Sequence, residues 1–167
     1  MQTTMTPSQI VKFLDQHVVG QEEAKRQLAV AVYTHYRKIE LAAPERLEVI
    51  KSNVLLIGPT GTGKTLLCET LSRVLGVPFV TANATSLAQS EYVNDEIVAI
   101  LERLIDKAAG DVAKAQRGIV FIDEIDKLKV TEAQQGQLRG TSGEGVQHAL
   151  LKIMEGAPVK LRESAYI

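Results

Sequence analysis

Two short stretches carry residue types whose spacing can do chemistry. Gly58-Pro59-Thr60-Gly61-Thr62-Gly63-Lys64-Thr65 fits G-x-x-x-x-G-K-[ST] and follows the apolar run Asn53-Val54-Leu55-Leu56-Ile57. A strand before and a helix after is the context such a phosphate-binding loop demands. Glycines let the backbone curl until successive N–H groups converge on one anion. The N-terminus of the following helix adds partial positive charge. Lys64 can reach the outer phosphates as a point charge, and the Thr65 hydroxyl can ligate Mg²⁺. The candidate nucleotide-binding residues are therefore Gly58, Pro59, Thr60, Gly61, Thr62, Gly63, Lys64, Thr65 and Leu66, the last in the first helical turn.

The second stretch, Ile119-Val120-Phe121-Ile122-Asp123-Glu124, ends an apolar run in two carboxylates. In open α/β sheets a ligand lies off the carboxyl ends of the strands, where both stretches are expected to emerge. Asp123 is a candidate Mg²⁺ holder, mainly through the ion's water shell. Glu124 is the candidate catalytic residue, able to orient or deprotonate a water attacking a γ-phosphate. Taken alone, the pair also reads as a polar strand end running into Ile125-Asp126-Lys127. Placed after the Gly-rich motif and a β-α-β pattern, it indicates a Mg²⁺-dependent nucleoside triphosphatase.

The elements that must position these residues are legible in turn. Thr6-Pro7-Ser8-Gln9 is a helix start, with Thr6 as N-cap, Pro7 at N1 and Gln9 closing a capping box. Gly20 ends that turn, and a longer helix is expected over about 21–40, with a loop at Ala42-Ala43-Pro44-Glu45. Residues 53–57 should form a strand and about 63–75 a helix, closed by Gly76 and Pro78. Phe79-Val80-Thr81-Ala82 reads as a strand, 83–93 as a loop, and Asn94 as the cap of another helix. There Ile97, Ile100, Leu101, Leu104, Ile105 and Ala108 make one wide apolar stripe. Residues 118–123 form an unbroken apolar run, suited to a strand covered on both faces. Residues 129–145 read as a polar loop. A last helix with Val146, Ala149, Leu150, Ile153 and Met154 on one stripe stops at Gly156-Ala157-Pro158. Residues 159–167 alternate as a strand would. Alternating strands and helices predict an α/β fold, a parallel sheet flanked by helices.

Bulk properties exclude several classes. The chain has 167 residues and a formal net charge of −1, so no global field draws in nucleic acid or an anionic membrane. Cys68 is the one cysteine, which rules out an internal disulfide or a cysteine-cluster zinc site; among Leu66, Leu67 and Leu71 it reads as packing. No apolar run approaches about 20 residues, so no membrane span is expected. The start lacks signal-peptide character, and a cytoplasmic location is the expectation. His17 and His35 have no ligand-type neighbours at useful spacing.

Across about residues 6–156 the chain resembles the ClpX family of AAA+ protein unfoldases, the ATP-binding subunits of Clp proteases. The resemblance is carried by Val18-Val19-Gly20-Gln21-Glu22, Leu28-Ala29-Val30-Ala31-Val32-Tyr33 and Leu56-Ile57-Gly58-Pro59-Thr60-Gly61. It continues in residues 114–127, from Lys114-Ala115-Gln116-Arg117-Gly118 to Ile125-Asp126-Lys127, and in Ser142-Gly143-Glu144-Gly145-Val146-Gln147. It implies an AAA+ P-loop NTPase fold, with residues 1–50 as an N-terminal helical segment and 51–167 as a partial ATPase core. It implies ATP as the nucleotide and Val18 and Val19, with Gly20 and Gln21, as the segment that lines the adenine pocket; by themselves these residues read more readily as packing between two helices. Tyr92-Val93 matches the pore loop that grips an unfolded protein substrate, although a lone aromatic can also simply cover a helix start. The family assembles from AAA+ subunits into a hexameric ring.

Departures accompany the match. Glu91 and Asn94 stand where the family has glycines, which stiffens the loop and adds a negative charge beside Tyr92. Gly140-Thr141 replaces an acidic-aliphatic pair. The resemblance places the sensor-1 strand, the arginine finger, the peptidase-docking loop and a small helical domain beyond Ile167, so the core is expected to be incomplete at its C-terminal end and peptidase docking is not expected. Without the sensor-1 strand, two apolar strand edges must pair directly, be covered by the tail, or stay exposed. An arginine finger contributes roughly 10³–10⁵ in rate in related phosphoryl transfers, so hydrolysis by the isolated chain is expected near background. The alternative is a non-enzymatic regulator that joins or competes with a complete ring.

Overall fold

The computed structural model describes residues 5–45, 52–89, 93–128, 143–161 and 167. The chain divides into two compact units, Met1–Gly76 and Val77–Ile167.

In the first unit, α1 (Pro7–His17) starts as its sequence dictates. The Gln9 N–H donates to the Thr6 hydroxyl at 3.4 Å, and the Thr6 N–H donates to Gln9 Oε1 at 2.8 Å. The Gln9 N–H also donates to the Thr6 carbonyl at 3.0 Å, so the donor the box newly satisfies is the Thr6 N–H. Ile10 and Leu14 are fully buried where α1 packs against α2 and α3. Gly20 and Gln21 both take left-handed backbone, φ 73° and 58°, and turn the chain into α2 (Glu22–Glu45). For glutamine that conformation costs roughly 1–2 kcal/mol. Lys25 on α2 is 1% exposed, and its ammonium pairs with Asp15 of α1 at 2.7 Å. Burial of a charge is tolerable only with such a partner.

α2 runs through Ala42-Ala43-Pro44-Glu45, where a loop was expected. Pro44 falls in the final turn, with one helical residue after it, so the N–H it lacks removes one bond at the very end rather than breaking the interior. A second difference is larger. Residues 53–57 form no strand: Val54, Leu55 and Ile57 are 49%, 71% and 89% exposed, and the segment is not part of the sheet formed by the described residues. A strand exists only through its ladder, which β-propensity alone does not supply. α3 (Lys64–Leu75) buries Leu67, Cys68, Thr70 and Leu71 and ends at left-handed Gly76, the expected cap.

The second unit holds the sheet. β1 (Phe79–Asn83) and β2 (Ile119–Asp123) are parallel, in register from Phe79↔Ile119 to Asn83↔Asp123. The crossover contains α4 (Ala84–Gln89), α5 (Val93–Lys107) and α6 (Val112–Ala115). On α5 the predicted stripe is realised: Ile97, Ile100, Leu101 and Leu104 are buried, as is Ala108 just beyond it. Most of this stripe packs with Val80, Ala82, Leu87, Ala149 and Leu150 in one core. α5 begins ahead of Asn94, which therefore lies in the first turn and not at the cap. α4 replaces part of the expected loop. Its start is capped by Asn83, whose Oδ1 accepts from the N–H of Thr85 at 2.8 Å and of Ser86 at 3.3 Å.

Every β2 residue is half-buried, less covered than its unbroken apolar run suggested; among the described residues the sheet has two strands. α7 (Gly143–Glu155) starts ahead of Val146 and buries Ala149 and Leu150, while Met154 is exposed. Gly156, at φ 79°, closes it. Residues 129–142, expected to be a loop, lie outside the described residues. In the tail, Val159 and Ile167 exchange backbone hydrogen bonds of 2.9 and 3.1 Å; residues 162–166 lie outside the described residues.

Candidate functional site

The phosphate-loop residues lie in the first unit, between the exposed stretch 53–57 and α3. Gly61 and Gly63 take φ 81° and 82°, a region that a residue with Cβ enters only at a cost. Gly63 is the N-cap of α3 and carries no side chain to close it, so no side-chain hydrogen bond occupies the helix's first N–H groups. Those donors and the helix dipole together suit an anion.

The carbonyl oxygens of the loop are tied down in the opposite sense. Lys64 Nζ donates to the carbonyls of Gly58 and Pro59, both at 2.8 Å, using two of its three N–H groups. The Thr62 hydroxyl donates to the Pro59 carbonyl at 2.9 Å, and the Leu67 N–H to the Gly63 carbonyl at 2.9 Å. The Thr62 carbonyl accepts from the Gln21 side-chain amide, which reaches in from the turn between α1 and α2. Thr65 is half-buried and Leu66 is 45% exposed. Around this loop the residues fit a nucleotide's phosphates: left-handed glycines, an uncapped helix start and a lysine with a remaining donor.

Of the two candidate adenine-pocket residues, Val18 is 5% exposed and caps the end of α1, whereas Val19 is 97% exposed. Cys68, on α3, is buried, and burial pushes its thiol up to about 11.

Asp123 and Glu124 lie in the second unit. Asp123 ends β2 beside Asn83, so both strands present polar side chains at their carboxyl ends. The chain leaves the sheet at once: Glu124 has φ 58°, and the single turn Ile125–Lys127 follows. The Glu124 N–H donates to Asp123 Oδ1 at 2.9 Å. Both Glu124 oxygens are held. Oε2 accepts from Asn83 Nδ2 at 2.9 Å and from the Thr85 hydroxyl at 3.4 Å, and Oε1 from Lys127 Nζ at 3.0 Å. The Asn83 hydrogen bond, then the bond and charge of Lys127, hold the Glu124 carboxyl below its usual range. The same ion pair raises Lys127. These contacts favour the ionised carboxylate, whose oxygens can act as hydrogen-bond acceptors.

Asn83, Thr85 and Lys127 were not singled out from the sequence. Lys127 stands three residues after Glu124, a spacing at which opposite charges meet; Asn83 is brought there only by strand pairing. Tyr92 lies outside the described residues, and Val93 opens α5 as a buried residue. Among the described residues no cluster of three or more His, Cys, Asp or Glu side chains could hold a metal, and no helix is long and apolar enough to cross a membrane.

A loop of this geometry and a strand ending in Asp-Glu are parts of one class of protein. Residues 50–165 match the AAA domain family (Cdc48 subfamily), and the chain belongs to it. More particularly, it is similar to "ATP-dependent Clp protease ATP-binding subunit ClpX" of Azotobacter vinelandii, 51% identical over 166 residues, which is 95% of this chain and 38% of that protein. ClpX 2 of Wolinella succinogenes is 51% identical over 155 residues, 92% of this chain and 38% of that one. ClpX of Treponema denticola is 52% identical over 152 residues, 90% and 37%. The chain thus spans about 38% of the length of the curated relatives it matches.

Proposed function

We propose that the chain binds Mg·ATP through residues 58–66 as part of a ClpX-like AAA+ module that hydrolyses ATP to drive protein unfolding. The observation that carries this reading is the loop itself, with its carbonyls held by Lys64, Thr62, Gln21 and Leu67 and its helix start uncapped. Val18 and Val19 contribute to the adenine pocket. The Thr65 hydroxyl and the Asp123 carboxylate are the residues that would hold Mg²⁺. The ion, when bound, neutralises charge on the phosphate oxygens. Glu124 orients the attacking water, for which one of its oxygens must leave Lys127 or Asn83. Residues 1–50 serve as the helical lead-in and 51–167 as the ATPase core. Tyr92 and Val93 grip an unfolded polypeptide within a hexamer of AAA+ subunits, in the cytoplasm, and nucleic acid is not a partner.

Thermal unfolding with and without Mg·ATP tests the reading, with Lys64→Ala as the comparison. A ligand at 100 times its Kd stabilises the folded state by about 2.7 kcal/mol, a rise of several degrees in midpoint. The rise is expected for the native chain and lost in Lys64→Ala. No rise in the native chain, or an equal one in both, refutes it.

A further inference from the structure

Among the described hydrogen bonds to the phosphate loop, one comes from outside the loop and its helix: the Gln21 side-chain amide donates to the Thr62 carbonyl. Gln21 is also backbone-strained, left-handed at φ 58° directly after Gly20 at φ 73°. A non-glycine residue persists in that region only where its surroundings over-determine it. The peptide joining Thr62 to Gly63 is trans, as all described peptides here are, so its C=O and N–H point in opposite directions. Fixing the oxygen therefore fixes the N–H of Gly63, the residue at the very start of α3.

We propose that Gln21 is a positioning residue for the phosphate loop. By holding the Thr62 carbonyl it turns the Gly63 N–H to the anion-binding side, linking the turn between α1 and α2 to phosphate affinity. The inference rests on the Mg·ATP reading above. Gln21 touches no phosphate in this scheme; it acts through Thr62. The turn is itself anchored, since Val18 is buried at the end of α1 and the buried Lys25, one turn into α2, pairs with Asp15. The amide is thus offered from a fixed base.

Three substitutions separate this role from a merely structural one. Gln21→Gly and Gln21→Asn suit left-handed backbone better than glutamine does, but neither side chain spans the distance to Thr62. Gln21→Glu keeps the size but presents only acceptors to a carbonyl. Two readouts apply: the Kd for Mg·ATP by calorimetry, and amide hydrogen exchange of residues 58–65 in the nucleotide-free protein. Gln21→Gly and Gln21→Asn should melt at or above the native temperature, bind Mg·ATP about three- to tenfold more weakly, and exchange faster in the loop but not in α2. The fold-change corresponds to one ordinary hydrogen bond. Gln21→Glu should weaken binding further. Affinities within twofold of native for Gly and Asn, or loop exchange unchanged in both, overturn the inference. Lys64→Ala keeps the two readings apart. If it abolishes binding while the Gln21 variants bind normally, only the role of Gln21 falls. If the native chain and Lys64→Ala bind alike, the nucleotide reading falls and this one with it.

Discussion

Gly118 sits just ahead of β2, the strand that delivers Asp123 and Glu124, and its replacement by alanine tests how that strand is seated. A Cβ there would lie 2.8 and 3.1 Å from the two Leu104 methyls and 2.9 Å from the Ala115 carbonyl oxygen. Carbon atoms at rest stand about 3.5–4.0 Å apart, so something must move. Leu104 is 3% exposed within the core shared by α5, β1 and α7, and the Ala115 oxygen already accepts the Gly118 N–H at 2.8 Å. Neither yields freely. Overpacking of this kind costs about 1–3 kcal/mol. The reduced freedom of the unfolded chain returns about 0.4–1 kcal/mol, because Gly118 does not need positive φ. The net expectation for Gly118→Ala is a loss of roughly 1–2 kcal/mol. Urea unfolding followed by circular dichroism reads this as a lower midpoint, by about 0.5 M or more at an ordinary urea dependence. Leu104→Ala should relieve one side of the clash, so the double variant should lose less than the two singles together. A midpoint equal to native refutes the packing argument; strict additivity refutes the assignment to Leu104.

Three further outcomes follow from the structure. Gly63→Ala, at φ 82°, should weaken Mg·ATP binding strongly, whereas Gly58→Ala should be mild, because its Cβ would meet only the Thr62 hydroxyl at an ordinary 3.6 Å; calorimetry on both compares them, and equal losses would contradict the loop geometry. The buried Cys68 thiol, pushed up to about 11, should resist a disulfide reagent at pH 8 and react rapidly once urea unfolds the chain; rapid native labelling would refute the packing of α3. Because the folded-state Glu124 is depressed below its ordinary 4.5, its hydrogen bonds stabilise fully above that value and lose their effect as pH falls through the folded value. Lys127→Met should therefore shrink the loss of thermal midpoint between pH 7 and pH 4, and a larger loss would show that the ion pair does not hold Glu124.

How far the residues foretold these features depends on the range of the forces involved. The box at Thr6 and Gln9, the glycine closing α3 and the stripe on α5 were legible because each is settled within one or two helical turns. The turn of the Gly-rich loop was legible for the same reason: Lys64 donates to the Gly58 and Pro59 carbonyls and Thr62 to that of Pro59, all within a few residues. The Asn83 cap of α4 is equally local, but it was hidden because a short polar run reads as loop. Residues 53–57 differ in the other direction, since an apolar run names a willing strand and says nothing of whether a ladder forms.

The sequence alone therefore determined the candidate groups, a Gly-rich loop opening a helix and a strand ending in two carboxylates, because backbone conformation and side-chain type decide those. Tertiary structure decided what holds them. It drew Gln21 to the Thr62 carbonyl and Asn83 to Glu124, pairs separated by forty-one residues in each case. Such pairs carry no periodicity and no local signal, since their geometry arises only when a turn packs on a loop or one strand registers against another.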